Sequence, residues 1–253
     1  MSKTSPSSPP DLLTAAIEAH GGAERWAEVE ELAIRVRSGG VALALKSRRS
    51  AFSAYEARVS TREPRMVATS WPEPGQRGVF AGEVVRIEGE DGGTLAELRD
   101  PRSAFKGLLT VRWDHLHLLY FAGYAMWGYL NQPFLLAQPG FEAREIEPWE
   151  EDGETWRRLA VTFPPDVPAH SREQVFYFDS DLWLRRHDYT AEVFGRWARG
   201  AHYSDEHREF GGLLFPTRRR VFPRARSNRP RPGPTLVWID LESVEPVSAA
   251  LAR

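Results

Sequence analysis

The sequence predicts a mainly β, α+β fold: one antiparallel sheet of about 11 strands around a single buried helix, with two short helices at the N-terminus. Three observations carry this. Turn residues recur between short runs in which apolar and polar residues alternate, the pattern of an antiparallel meander. No strand–helix–strand alternation and no glycine-rich phosphate loop of the G-x-G-x-x-G or Walker type occurs, which argues against a nucleotide-binding α/β fold. One segment, Ala104 to Ala137, breaks the meander with helical character and a dense aromatic content.

Residues 1–10 are rich in Ser and Pro and read as a disordered tail, 11–245 as one domain, and 246–253 as a second tail. Asp11 is placed as an N-cap, Leu12, Leu13, Ala16 and Ile17 form a helical stripe, and Gly21-Gly22 stops it. A second short helical piece, Ala23 to Glu30, carries Trp26 and Val29. From Glu31 the period becomes two: Leu32, Ile34 and Val36 alternate with Ala33, Arg35 and Arg37. Gly39-Gly40 then leads into Val41–Lys46, read as the returning arm of a hairpin. Strand-like runs follow at 52–61, 65–71, 76–80, 83–88 and 94–98, and after the aromatic segment at 141–148, 154–163, 172–178, 182–193, 197–210, 213–222 and 235–241. Pro164 to Pro168 reads as a rigid crossing.

The 253 residues carry 33 Lys+Arg against 35 Asp+Glu, so the net charge of -2 gives no global attraction to nucleic acid or anionic membrane. Without cysteine there is no disulfide framework, thiolate zinc site, Fe–S cluster or cysteine nucleophile. The N-terminus lacks the apolar stretch of a secretory signal and no run reaches the ~18–20 apolar residues of a membrane span, so a cytoplasmic location is expected. No G-x-S-x-G elbow occurs. The carboxylates of Glu150-Glu-Asp152 and Asp205-Glu206, and the arginines of Arg218-Arg-Arg220 with Arg224, Arg226, Arg229 and Arg231, read as solvated, salt-bridged surface.

The candidate site centres on the helix at about 113–131, capped by Asp114 and almost without a polar face. Core packing accounts for most aromatic stripes, yet Tyr and Trp have polar ends that need partners, so Trp113, Tyr120, Tyr124 and Trp127 are candidate walls of a ligand pocket. Gly123 and Gly128 suggest close approach by a neighbour or ligand. His115 and His117 form an H-x-H that points roughly 200° apart on a helix, so they share no metal, and His117 is taken to face inward. On a later strand His187 and Tyr189 share a face with Trp183 and Val193, while Asp188 shares the other with Leu184 and Thr190; a one-residue slip exchanges His187 for Asp188. Trp183, Tyr189 and His202 complete the ligand-binding set, with His187 as the candidate catalytic acid or base in an apolar setting. No metal and no cofactor are expected.

The opening Ala19-His-Gly-Gly-Ala-Glu-Arg-Trp26, a helix running into Gly-Gly with a Trp four residues on and long hairpins after it, resembles bacterial proteins of the LolA-like lipoprotein-carrier superfamily. The likeness covers residues 11–47 and continues in strand order and the inserted helix. It implies a curved, incompletely closed half-barrel that holds helices on its concave face and takes acyl chains between them. A carrier of that kind needs export, so the fold rather than the role is expected to carry over. The expected function is binding of a small hydrophobic or amphipathic molecule, lipid or metabolite, between sheet and helix. The alternative is a cofactor-independent cyclase, isomerase or hydrolase using His187. The expected partner is that small molecule, with no nucleic acid and no stable membrane insertion.

Overall fold

Alternation along the chain closes into one unclosed, curved antiparallel sheet in the computed structural model, which describes residues 11–46, 53–106 and 112–248. The elements are α1 (Asp11–Ala19), α2 (Ala23–Ala27), β1 (Val29–Gly39), α3 (Val41–Lys46), β2 (Ala54–Ser60), β3 (Arg65–Thr69), β4 (Arg77–Ala81), β5 (Val84–Glu88), β6 (Thr94–Arg99), α4 (His115–Leu130), β7 (Glu142–Glu151), β8 (Glu154–Thr162), β9 (Glu173–Phe178), β10 (Leu184–Thr190), β11 (Arg199–Phe210), β12 (Leu213–Pro223) and β13 (Val237–Ser248). The order across the sheet is β6-β5-β4-β3-β2-β1-β13-β12-β11-β10-β9-β8-β7. β6 and β7 therefore follow one another in sequence yet form opposite edges, and the segment joining them carries α4. No described helix is long and apolar enough to cross a membrane.

Thirteen strands among the described residues exceed the eleven or so expected, and several element bounds need correction, the expected helical piece Ala23 to Glu30 among them, since α2 ends at Ala27 and Val29 and Glu30 belong to β1. Val41–Lys46 is a helix, not a hairpin arm. Its Val-Ala-Leu-Ala-Leu alternation fits either period, but Ala, Leu and Lys favour helix, and β13 rather than this segment takes the position beside β1. The last strand runs to Ser248 instead of ending at Leu241, pairing with β1 back to Val29. Of the expected 246–253 tail, Pro246, Val247 and Ser248 therefore belong to β13, while 249–253 and the N-terminal tail 1–10 lie outside the described residues, as does Phe52 at the start of an expected run.

Asp114 caps α4 as the sequence suggests, its carboxylate accepting from the His117 backbone N–H at 2.9 Å. The helix is buried nearly all round and packs against β2 to β6. Gly123 explains how closely: a Cβ there would lie 2.4 Å from the Phe80 ring. Gly128 has nothing within 4 Å and imposes no such approach. Gly123→Ala is expected to cost about 1–3 kcal/mol, read from the urea midpoint, and to cost less in a Phe80→Ala background, which removes the Cγ and Cδ1 atoms the new methyl would meet at 2.4 and 2.9 Å. Additive losses would show that the two residues do not compete for space.

β10 holds the main surprise in register. Leu184 pairs with Phe178 and Arg186 with Tyr177, so Arg185 is an extra residue in the strand. The bulge puts Leu184 on the helix-covered face with His187 and Tyr189, and turns Arg186 and Asp188 to the outer face; the sequence reading had grouped Leu184 with Asp188. There Arg186 lies fully buried between Asp188 and Glu151. Glu151 is thus not solvated surface charge: it is buried and accepts from Arg186 Nη1, the Tyr203 hydroxyl and Trp149 Nε1, while the Asn228 carbonyl and the rings of Tyr177 and Tyr203 pack on Arg186. Arg219 likewise departs from the exposed arginine face. Arg218 and Arg220 pair outward with Glu206 and Asp240, while Arg219 points in and donates to Ser204 Oγ at 3.2 Å and the Tyr129 carbonyl at 3.1 Å. It ties β12 to the end of α4, and burial lowers its pKa to about 10.

Candidate ligand-binding site

A cavity of about 930 Å³ opens where α3, the turn following β10, and the ends of β12 and β13 meet, within the roughly 300–1,000 Å³ of small-molecule sites. Its walls are largely apolar: Val41, Ala42 and Leu45 of α3, Phe121 of α4, Phe194 and Ala198 of the turn, and Val221, Pro223, Leu236 and Val237. α3 acts as a strap across it. The Ala42 N–H donates to the Leu236 carbonyl at 3.0 Å, and the Trp113 N–H to the Lys46 carbonyl at 2.9 Å, fastening the strap at both ends. At the lip, Gly195 adopts φ +132°, and a Cβ there would lie 2.6 Å from Trp197 Nε1. Only glycine lets the indole fold back over the turn in this way. Leu45 and Trp197 are each 79% exposed and Val41 38%, three of the four large exposed apolar side chains among the described residues.

His170 and Tyr189 form the floor, their rings stacked at 4.0 Å and 8°. Behind them runs a buried polar network. His170 Nδ1 is 3.1 Å from the Tyr124 hydroxyl, His170 Nε2 is 2.5 Å from the Tyr129 hydroxyl, and that hydroxyl is 3.1 Å from Tyr189 Oη. Both ring nitrogens of His170 are therefore engaged. Burial, with a contribution from Arg102, pushes its pKa down to about 3, and burial raises Tyr124 and Tyr129 well above their usual range. Near neutral pH the floor is an uncharged hydrogen-bonding surface. Arg102 holds it in place from the far side by donating to the Ala169 carbonyl at 2.6 Å and pairing with Glu192. A smaller polar cleft of about 360 Å³, lined by Arg102, Tyr120, Asp166 and Glu192, lies on that side.

The residues expected in the site fall into separate places. Tyr189 lines the cavity. Trp113 stands at its edge, 4.6 Å from the Phe194 ring and 5.2 Å from Phe121. Tyr124, His187 and His202 form the layer beneath the floor. His187 stacks on Phe176 at 4.3 Å and hydrogen-bonds Gln174, and His202 lies 4.5 Å from the Tyr129 ring with neither nitrogen bonded among the described residues. Burial holds both histidines well below their usual pKa. Tyr120 belongs to the smaller cleft. His117 binds Asp114 at 2.7 Å beside Phe105, Trp127 is buried along α4, and Trp183 packs on His207 at 5.0 Å beyond the start of β10. The sequence reading missed His170, which lies two residues beyond the proline crossing, where no periodicity marks a face. It also missed the α3 strap, and the arginines of the cavity wall.

No family model matches the sequence, and no curated protein matches it. Solved structures do. A LolA superfamily protein from Nitrosomonas europaea matches with a TM-score of 0.52 at 12% identity, over 96% of this chain and 94% of that one. A DUF1329 family protein from Desulfovibrio piger matches with a TM-score of 0.51 at 13% identity, over 95% and 94%. With its unclosed sheet and the helix joining opposite edges, the chain has a LolA-like fold.

Proposed function

We propose that this protein binds a small hydrophobic or amphipathic molecule between its sheet and helices, in the cavity beneath α3. The observation that carries this is the open space of about 930 Å³ between apolar walls, floored by uncharged hydrogen-bonding groups. A sealed core fills such space, because interiors pack to crystal-like density. The apolar wall supplies affinity through area removed from water, and the stacked rings of His170 and Tyr189 close the floor.

Titration with the neutral dye Nile red is expected to show saturable binding with a blue-shifted emission. Ala198→Trp, which fills the cavity from its wall, is expected to weaken that binding by about tenfold or more while leaving the thermal midpoint unchanged. Binding that does not saturate, or that is indifferent to Ala198→Trp, would refute the assignment.

A further inference from the structure

Among the described residues, the cavity wall is lined by cations and by no carboxylate. Lys46, Arg196, Arg199, Arg224, Arg226 and Arg231 line it, and neither Asp nor Glu does, in a chain whose net charge is -2. Two of these guanidinium groups are drawn together by a neutral group. Arg199 Nη2 donates to Asn228 Oδ1 at 3.0 Å, and Arg224 Nη1 donates to the same oxygen at 2.8 Å. Arg224 also lies 3.5 Å from Asp188, but that carboxylate already takes two hydrogen bonds from Arg186. Arg199 has no ion pair among the described residues, and the same holds for Arg196, Arg226 and Arg231 on the exposed rim. Two like charges sharing one amide oxygen repel each other, and an oxyanion placed between them would relieve that repulsion with charge-assisted hydrogen bonds.

We propose that the ligand is an anionic amphiphile, its apolar chain along α3 and Phe121 and its carboxylate or phosphate held by Arg199 and Arg224 at the wall. This rests on the cavity being the binding site. The geometry suits it, since the floor is neutral and Arg224 is fixed beside it, its Nη2 donating to the Tyr189 carbonyl at 3.3 Å. Arg226 and Arg231 add to the potential that draws an anion to the opening.

Displacement of Nile red by four probes of equal chain length tests it: dodecanoate, dodecyl phosphate, dodecanol and dodecyltrimethylammonium. At least one of the two anions is expected to bind about tenfold tighter than dodecanol, and the stronger of them identifies the headgroup. Arg199→Gln is expected to remove most of that preference and leave dodecanol unchanged. A second variant, Arg226→Gln with Arg231→Gln, lies on exposed positions and is expected to lower the anion preference less and to flatten its salt dependence. Equal binding of all four probes, or preference for the cation, would overturn the anion assignment while leaving the cavity assignment intact. If Nile red binds nowhere and no probe binds, both fall.

Discussion

Lowering the pH from 7 to 4.5 is expected to unfold this protein cooperatively. His20, His170, His187, His202 and His207 are all buried or nearly so, and desolvation is the largest cause that lowers each of them: His20 to about 4, His170 and His207 to about 3, and the other two well below the usual value. In the unfolded chain each titrates near 6.5. The stability they confer is therefore fully present above about pH 6.5, and is lost as the pH falls from there toward the folded values, because only the unfolded chain takes up the protons. Each group contributes a slope of about 1.4 kcal/mol per pH unit, so the five together approach about 7 kcal/mol per unit. A typical domain has roughly 5–15 kcal/mol in total, so two units suffice. Urea midpoints measured at half-unit intervals give the slope, and His202→Phe is expected to reduce it by about one proton. A stability that stays flat between pH 7 and pH 5 would show that these imidazoles are charged, or solvated, in the folded protein.

Arg186→Met is expected to be the most damaging single substitution outside the apolar core, at about 3–5 kcal/mol. Its guanidinium donates to Asp188 through Nε at 2.8 Å and Nη2 at 3.0 Å, to Glu151 through Nη1 at 2.7 Å, and to the Asn228 carbonyl. The side chains of Arg186, Glu151 and Asp188 are 0%, 6% and 2% exposed, so removing the cation leaves Glu151 with no counter-ion among the described residues and Asp188 with Arg224 alone, at 3.5 Å, both away from water. Most of the loss is the cost of those unpaired charges rather than the worth of the pairing itself. A triple variant, Arg186→Met with Glu151→Gln and Asp188→Asn, is accordingly expected to recover much of the urea midpoint. A single variant no less stable than the triple one would contradict this account. The effect reaches the cavity too, since Asn228 holds Arg199 and Arg224 at its wall.

The sheet was legible because its signals are local. Leu32, Ile34 and Val36 alternate along β1, and the Asp114 cap and the aromatic run after it define α4 without reference to any other part of the chain. Val41–Lys46 misled because five residues of Val, Ala and Leu satisfy both periods, and only its docking at Leu236 decides between them. The bulge at Arg185 left no mark in composition, yet it sets which face Leu184, Arg186 and His187 occupy. The burial of Glu151, Arg186 and Arg219 is a property of partners 35 to 90 residues away. A sequence displays each of these as a surface charge. The site was legible as chemistry more than as place: Tyr124, His187, Tyr189 and His202 do gather in one region, but around His170, whose position comes from a proline crossing and the Arg102 clamp.

The exposed indole at the lip also makes the cavity entrance optically separable from everything else. Of the nine tryptophans, Trp26, Trp71, Trp113, Trp127 and Trp156 are buried, Trp149, Trp183 and Trp238 are half-buried, and Trp197 alone is open to water. A quencher dissolved in the solvent therefore reaches one fluorophore far more readily than the other eight. With Arg196 beside it in the chain and further cations around the opening, iodide concentrates where caesium is repelled. The difference between the two quenchers reports on the electrical state of the entrance in the unmodified protein, with no label attached.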